Sequence, residues 1–156
     1  MKFKNTSQKI RNVAIVVFFD KNLNILVQER GEHSKIGEKY GFWGGQIEGN
    51  ETPRQAIRRE LLEEIGFIPE RLDYWLKYSY PVSIEKKEKQ RSYLVNCWVF
   101  LSPMTEKLKK TKVLEGKGMV KMKLDEVIKG KDFPPNGTKF LKKLRGFVEE
   151  NDSYRL

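Results

Sequence analysis

Seven consecutive apolar residues, Val13 to Phe19, are mostly β-branched or aromatic, and Asp20 ends the run at once. A run of that length and type reads as a buried strand. The pattern predicts strands over Asn12–Asp20 and Asn24–Arg30, joined into a hairpin by the turn-forming residues between Asp20 and Asn24. A polar, glycine-bearing loop follows over residues 31–41, then a short strand at Phe42–Ile47 interrupted by Gly44 and Gly45. Further strands are expected at Leu72–Ser83, Ser92–Leu101 and Met119–Leu124, with a charged turn at Ile84–Gln90 and a loop over 103–118. Asp125–Lys129 is expected to form one helical turn. Phe140, Leu141, Leu144, Phe147 and Val148 recur with the period of an amphipathic helix over Lys139–Glu150. Strands mixed with about two helices predict an α/β fold, a layered mixed sheet with helices on its faces. Nothing in the composition divides the chain, so one domain over residues 1–156 is expected.

The best-marked helix is Pro53–Ile65. Thr52 can cap it, and Gln55 three residues on completes a capping box. Pro53 occupies the first helical position, where its missing N–H costs nothing, and Gly66 follows as a C-terminal stop. Around the axis, Ile57, Leu61 and Ile65 form one apolar stripe, while Glu60, Glu63 and Glu64 share an arc that borders it. Like charges at such spacings repel by roughly 0.2–0.5 kcal/mol per pair. Two readings follow. The carboxylates meet the Gly44-Gly45 segment and hold a hard, oxygen-seeking cation such as Mg²⁺, with Mn²⁺ as a substitute. Or they form a solvated acidic face balanced by Arg58 and Arg59.

Composition narrows the classes. With 38% hydrophobic and 12% aromatic residues among 156, the chain can build a core and is not a disordered segment. The apolar run is too short to span a bilayer and no small-residue cleavage site follows it, so neither a membrane span nor a signal peptide is expected, and the location is taken as cytoplasmic. Cys97 is the only cysteine, which excludes an intrachain disulfide and a cysteine zinc cluster. It sits in an apolar strand pattern and is read as a buried thiol. The net charge is +10, and residues 1–80 hold 13 Lys and Arg against 11 Asp and Glu, so the excess lies in the second half. That favours anionic ligands, from nucleotides to RNA, or simply keeps the surface solvated.

Spacing adds a resemblance. From Gly45 the chain runs through Glu51, Arg59-Glu60-Leu61, Glu63-Glu64 and Gly66-Phe67, which resembles the Nudix box, G-x5-E-x7-R-E-U-x-E-E-x-G-U with U apolar. All seven fixed residue types match; at a usage of about 7% each, chance agreement at a given start is on the order of 1 in 100 million. The final position departs, with Phe67 where an aliphatic residue is usual, and Trp43 stands where proline often precedes the two glycines.

The resemblance implies a Nudix-type α/β/α sandwich with a mixed sheet, and hydrolysis of a nucleoside diphosphate linked to another group. It implies Mg²⁺ on Glu60, Glu63, Glu64 and the carbonyl of Gly45, with Glu51 and Arg59 paired to brace the loop and orient the helix. Glu115 is the first candidate for an assisting carboxylate, with Glu106 in reserve. Glu64 or Glu115 is expected to take the proton of the attacking water, and Arg30 to face a phosphate. Tyr40, Phe42, Tyr80 and Phe133 are candidates to stack on a base. Trp75, Tyr78 and Trp98 are assigned to the core or sheet, and His33 to an incidental loop position. The expected substrate is a small nucleotide in a house-cleaning role. The alternatives are an RNA 5′-end pyrophosphohydrolase and a catalytically silent nucleotide- or RNA-binding module. Monomer and homodimer stay equally open.

Overall fold

The computed structural model describes residues 9–34, 37–86 and 89–155, without the side chains of His33, Lys86, Lys89 and Gln90. Its centre is β1 (Lys9–Phe19), the strand that the long apolar run predicts. Along one edge β1 pairs in parallel with β6 (Lys89–Pro103), from Lys9 opposite Tyr93 to Phe19 opposite Pro103. Along the other it pairs antiparallel with β4 (Trp43–Gln46) and then with β2 (Asn24–Glu29). A strand paired on both edges and covered on both faces has no polar side, which is why its sequence shows no alternation.

The remaining strands extend this frame. β5 (Asp73–Lys86) is antiparallel to β6, β7 (Gly118–Lys123) to β2, and the short β3 (Tyr40–Gly41) to the end of β2, making a mixed seven-stranded sheet. Ile84–Glu85, expected in a charged turn, continue β5 opposite Gln90–Arg91; residues 87 and 88 of that expected turn lie outside the described residues. Charge misled the reading because this end of the hairpin is exposed, and polar residues are at home on an exposed ladder.

Successive residues of β1 feed two cores. Ala14, Val16 and Phe18 join Trp43 and the Ile57, Leu61 and Ile65 stripe of α1 (Pro53–Ile65). Ile15, Val17 and Phe19 face α3 (Leu124–Lys129) and the C-terminal segment, where Lys139–Lys143 is a 3₁₀ turn leading into α4 (Leu144–Glu150). The helix expected over Lys139–Glu150 is therefore split, although Phe140, Leu141 and Leu144 are buried as its period requires. The expected loop at 103–118 contains a four-residue helix, α2 (Glu106–Lys109), capped by Thr105 and anchored by buried Leu108. Among the described residues no helix is long and apolar enough to cross a membrane.

The antiparallel pairing of β4 with β1 depends on Gly44. Its φ is +131°, and a Cβ there would lie 2.0 Å from the Ala14 carbonyl oxygen. Gly146, inside α4, meets nothing within 4 Å. Substituting alanine should therefore act with opposite sign at the two positions. Gly44→Ala is expected to cost at least about 2 kcal/mol from strain and clash, and Gly146→Ala to gain about 0.5–1 kcal/mol from helix propensity. Urea unfolding of both variants measures this; equal effects would remove the steric account of β4.

Candidate active site

The loop from β4 into α1 is held by one arginine. Arg59 makes a two-pronged ion pair with Glu51, Nε to Oε2 at 2.8 Å and Nη2 to Oε1 at 2.9 Å. Its Nη2 also donates to the Gln46 carbonyl at 3.0 Å, and Nη1 to Glu60 Oε1 at 2.9 Å. The forked geometry suits guanidinium in a way an ammonium could not reproduce. The Arg59 guanidinium and the Glu48 N–H together hold the Glu51 carboxyl at about 2, well below the usual range. The pairing expected from the sequence is thus present, and Arg59 also answers part of the repulsion along the acidic arc.

The three helix glutamates occupy different surroundings. Glu64 is 1% exposed and accepts the Gly44 N–H at 2.8 Å. Glu60 seats against Gly45, where a Cβ would come within 2.5 Å of Glu60 Oε1, so a side chain there would push the Glu60 carboxylate out of this place. Glu63 is half exposed and turns toward Arg59 at 3.5 Å. Burial pushes the Glu64 carboxyl up to about 8; Glu60 and Glu115 push in the same direction, against the Gly44 N–H and Arg30. Burial also raises Glu60, opposed by Arg59.

Glu115 arrives from the loop before β7. The Leu114 N–H donates to the Glu64 carbonyl at 2.8 Å, which draws this loop onto the last turn of α1. The reserve candidate, Glu106, instead lies at the surface, paired with Lys109 at 3.3 Å. Among the described residues no three carboxylate, imidazole or thiol groups are close enough to close a metal shell by themselves. The donor set nevertheless suits a hard cation: the candidates offer oxygen only, and two of them, Glu60 and Glu64, meet one glycine seam. Mg²⁺ needs few protein carboxylates, because water and phosphate oxygens complete its shell.

Gly44 and Gly45 also line a cleft of about 180 Å³ on the sheet face opposite α1. Its floor is apolar, with Val13, Ile15, Val82, Val95 and the buried thiol of Cys97. Phe42, Tyr80 and Tyr93 add aromatic walls, while Arg30, Glu38 and Arg11 contribute charge. Of the four stacking candidates, Phe42 and Tyr80 line this space. Phe133 does not: it is buried, with its ring against Tyr40 at 5.7 Å and Phe42 at 5.8 Å, so it shapes the wall from behind. Tyr40 packs on Phe133 and is not part of the lining. Trp75 and Tyr78 pack against Phe140 as expected of core residues, and Trp98 packs against the core under α1. The His33 side chain lies outside the described residues.

Sequence reading missed Gln28 and Glu38. Gln28 is completely buried, accepting from Arg30 Nη1 at 2.7 Å and donating to the Glu115 carbonyl at 3.0 Å. Glu38 lies 3.7 Å from Arg30 Nε and accepts from Ser34 Oγ at 2.9 Å. The one signal in the sequence was a glutamine at an otherwise apolar strand position.

This frame and site define a class. The NUDIX domain family model matches residues 9–144, and the chain belongs to that family. It is 44% identical over 59 residues to the 8-oxo-dGTP diphosphatase of Proteus vulgaris, 38% of this chain and 53% of that protein. It is 34% identical over 94 residues to the RNA pyrophosphohydrolase of Helicobacter pylori strain G27, 54% of this chain and 61% of that one. The chain spans a little over half the length of these curated relatives. The crystal structure of a MutT protein from Methanosarcina mazei Go1 matches with a TM-score of 0.66, covering 95% of this chain and 99% of that one at 19% identity, a likeness of fold alone.

The Glu64 environment sets a pH dependence for the metal-free protein. In the unfolded chain this carboxyl ionises near 4.5, in the folded chain near 8. Its contribution to stability is therefore fully present below 4.5 and is lost as pH rises through 8. Glu64→Gln should be more stable than wild type at pH 8.5 in chelator, by up to a few kcal/mol at about 1.4 per pH unit, with the gap closing toward pH 4.5. Thermal unfolding across that range reads it out; curves that stay parallel would show that another group titrates.

Proposed function

We propose that this protein is a divalent-metal-dependent pyrophosphohydrolase that cleaves the diphosphate linkage of a nucleoside diphosphate derivative. One observation carries the reading: the buried Glu64 and the seated Glu60 meet Gly44 and Gly45, the two residues that also edge the apolar cleft. A ligand with an apolar planar end and an anionic end fits that adjacency. The cleft takes the nucleoside, with Phe42 and Tyr80 against the base, and the diphosphate lies toward the carboxylates.

Glu60, Glu63, Glu64 and the Gly45 carbonyl would hold Mg²⁺, or Mn²⁺ in its place, once Glu63 leaves Arg59. When bound, such an ion cancels phosphate charge and lowers the pKa of a water ligand. Arg30, at the cleft edge, orients a phosphate oxygen. Glu64 or Glu115 takes the proton from water as its oxygen attacks phosphorus, and the bridging P–O bond breaks with the electron pair leaving on the departing phosphate. Arg59 touches none of the reacting atoms; it keeps Glu60 and the β4–α1 loop in place through Glu51 and the Gln46 carbonyl.

A screen of nucleoside diphosphate derivatives with Mg²⁺ and with Mn²⁺, products identified by mass, tests the reading. Wild type should release phosphate-bearing products, and Glu64→Gln should lower kcat by at least about 100-fold, the usual scale for losing a general base. No turnover with any compound would leave RNA 5′-end hydrolysis and a binding module as the surviving alternatives.

An RNA 5′ end is the second substrate reading, supported by the lysine-rich second half and by the relative named for that activity. Affinity for RNA held by many lysines should fall steeply between 50 and 200 mM salt, by about 300-fold for six phosphate contacts on a single strand. A mononucleotide should show a far shallower dependence. KM measured across that salt range separates the two.

A further inference from the structure

Glutamine is seldom fully buried, yet Gln28 has no exposed surface. Both ends of its amide are used. Oε1 accepts from Arg30 Nη1 at 2.7 Å, and Nε2 donates to the Glu115 carbonyl at 3.0 Å. The orientation is unambiguous, since reversing the amide would set donor against guanidinium and acceptor against carbonyl. One rigid group therefore joins a cationic side chain at the cleft edge to the loop that carries a carboxylate toward α1.

The loop around Glu115 is built to receive this bond. On one side the Leu114 N–H is tied to the Glu64 carbonyl at 2.8 Å, and on the other the Lys117 N–H is tied to the Glu29 carbonyl at 2.9 Å. Between them Gly116 has φ +81°, and a Cβ there would meet the Glu29 carbonyl oxygen at 2.6 Å and Gln28 Nε2 at 3.2 Å. The backbone thus lies directly against β2, at a distance only glycine permits. Arg30 and Glu115 both act electrostatically on Glu64, with opposite signs, beside the larger effects of its burial and the Gly44 N–H.

We propose that Gln28 is a positioning residue of the site, whose amide locks Arg30 and the Glu115 loop at a fixed separation on either side of the diphosphate. Arg30 affects binding of the anionic substrate, and Glu115 affects the metal and the water. Gln28 touches neither substrate nor metal; it keeps the two groups in register. The kinetic half of this inference rests on the hydrolase reading, and the metal-binding half does not.

Two variants separate its functions. Gln28→Glu keeps an acceptor toward Arg30 and loses the donor toward the Glu115 carbonyl. Gln28→Met keeps the volume and loses both bonds. Loss of a hydrogen bond behind a metal site commonly costs 10–100-fold, so Gln28→Glu should lower kcat at least about tenfold with KM near wild type. Gln28→Met should lower kcat similarly and raise KM as well. In a titration with Mn²⁺ alone, followed by water-proton relaxation, Gln28→Met should weaken binding by the same factor as Glu115→Gln. Combining the two should weaken it no further.

A merely structural Gln28 would lower the melting temperature and leave kcat, KM and Mn²⁺ affinity of the folded protein unchanged, which overturns the proposal. Multiplying losses in the double variant, or wild-type kcat in Gln28→Glu, overturns it too. If wild type turns over neither a nucleotide nor an RNA 5′ end, the hydrolase reading fails and the Mn²⁺ titration alone decides the role of Gln28. If wild type is active and the Gln28 variants match it in both readouts, only the inference about Gln28 fails.

Discussion

Everything at the site depends on a carboxylate placed where a carboxylate is costly. Glu64 sits in the last turn of α1, almost without solvent, facing the backbone of β4. An isolated charge in such a place is strongly disfavoured, and the single N–H of Gly44 at 2.8 Å offsets only part of that cost. The helix stays docked because of its other face. Ile57, Leu61 and Ile65 are buried against Ala14, Val16, Phe18 and Trp43, and each such side chain contributes roughly 1.5–3 kcal/mol on full burial. The apolar stripe and the acidic arc are neighbours on one helix, so docking the first necessarily carries the second into the sheet. The protein accepts instability at Glu64 in exchange for a poorly solvated carboxylate fixed at the glycine seam.

Arg59 shows how the same acidic arc is kept from splaying. Its contacts reach the strand end at Gln46, the loop at Glu51 and the helix at Glu60. Three consecutive pieces of chain are thereby fixed by one planar group. The glutamates divide accordingly: Glu51 is consumed by the brace, Glu63 leans toward it from half-exposed surface, and Glu60 and Glu64 remain at the glycine seam. A charge pattern that looks repulsive in one dimension becomes a division of labour in three.

The second core does comparable work on the cleft side. Phe42 packs against Phe133 and Phe140, and Trp75 against Phe140 and Phe147. Tyr154 closes the far end against Phe19 and Phe147. This aromatic layer gives Phe42 a rigid backing, so the cleft wall is shaped by residues that never reach it. Two lines of support thus converge at Gly44 and Gly45, one from the aliphatic core beneath α1 and one from the aromatic core opposite.

The sequence by itself determined what depends on near neighbours along the chain. The capping box at Thr52 and Gln55, the start at Pro53 and the stop at Gly66 involve groups a few residues apart, and α1 has those bounds. The motif spacing also lies within one stretch of chain, and the Arg59–Glu51 pair followed from the family resemblance that this spacing carries. Tertiary structure alone decided what depends on distant pairing. The parallel register of β1 with β6 assembles the cleft floor, and the contact of β2 with the 114–117 loop brings Gln28, Arg30 and Glu115 together. Phe133 and Phe42 look equivalent as aromatic residues, yet one is wall backing and the other wall. Periodicity shows that a side chain is buried; only the packed fold shows against what, because burial is a local preference and its partners come from the other end of the chain.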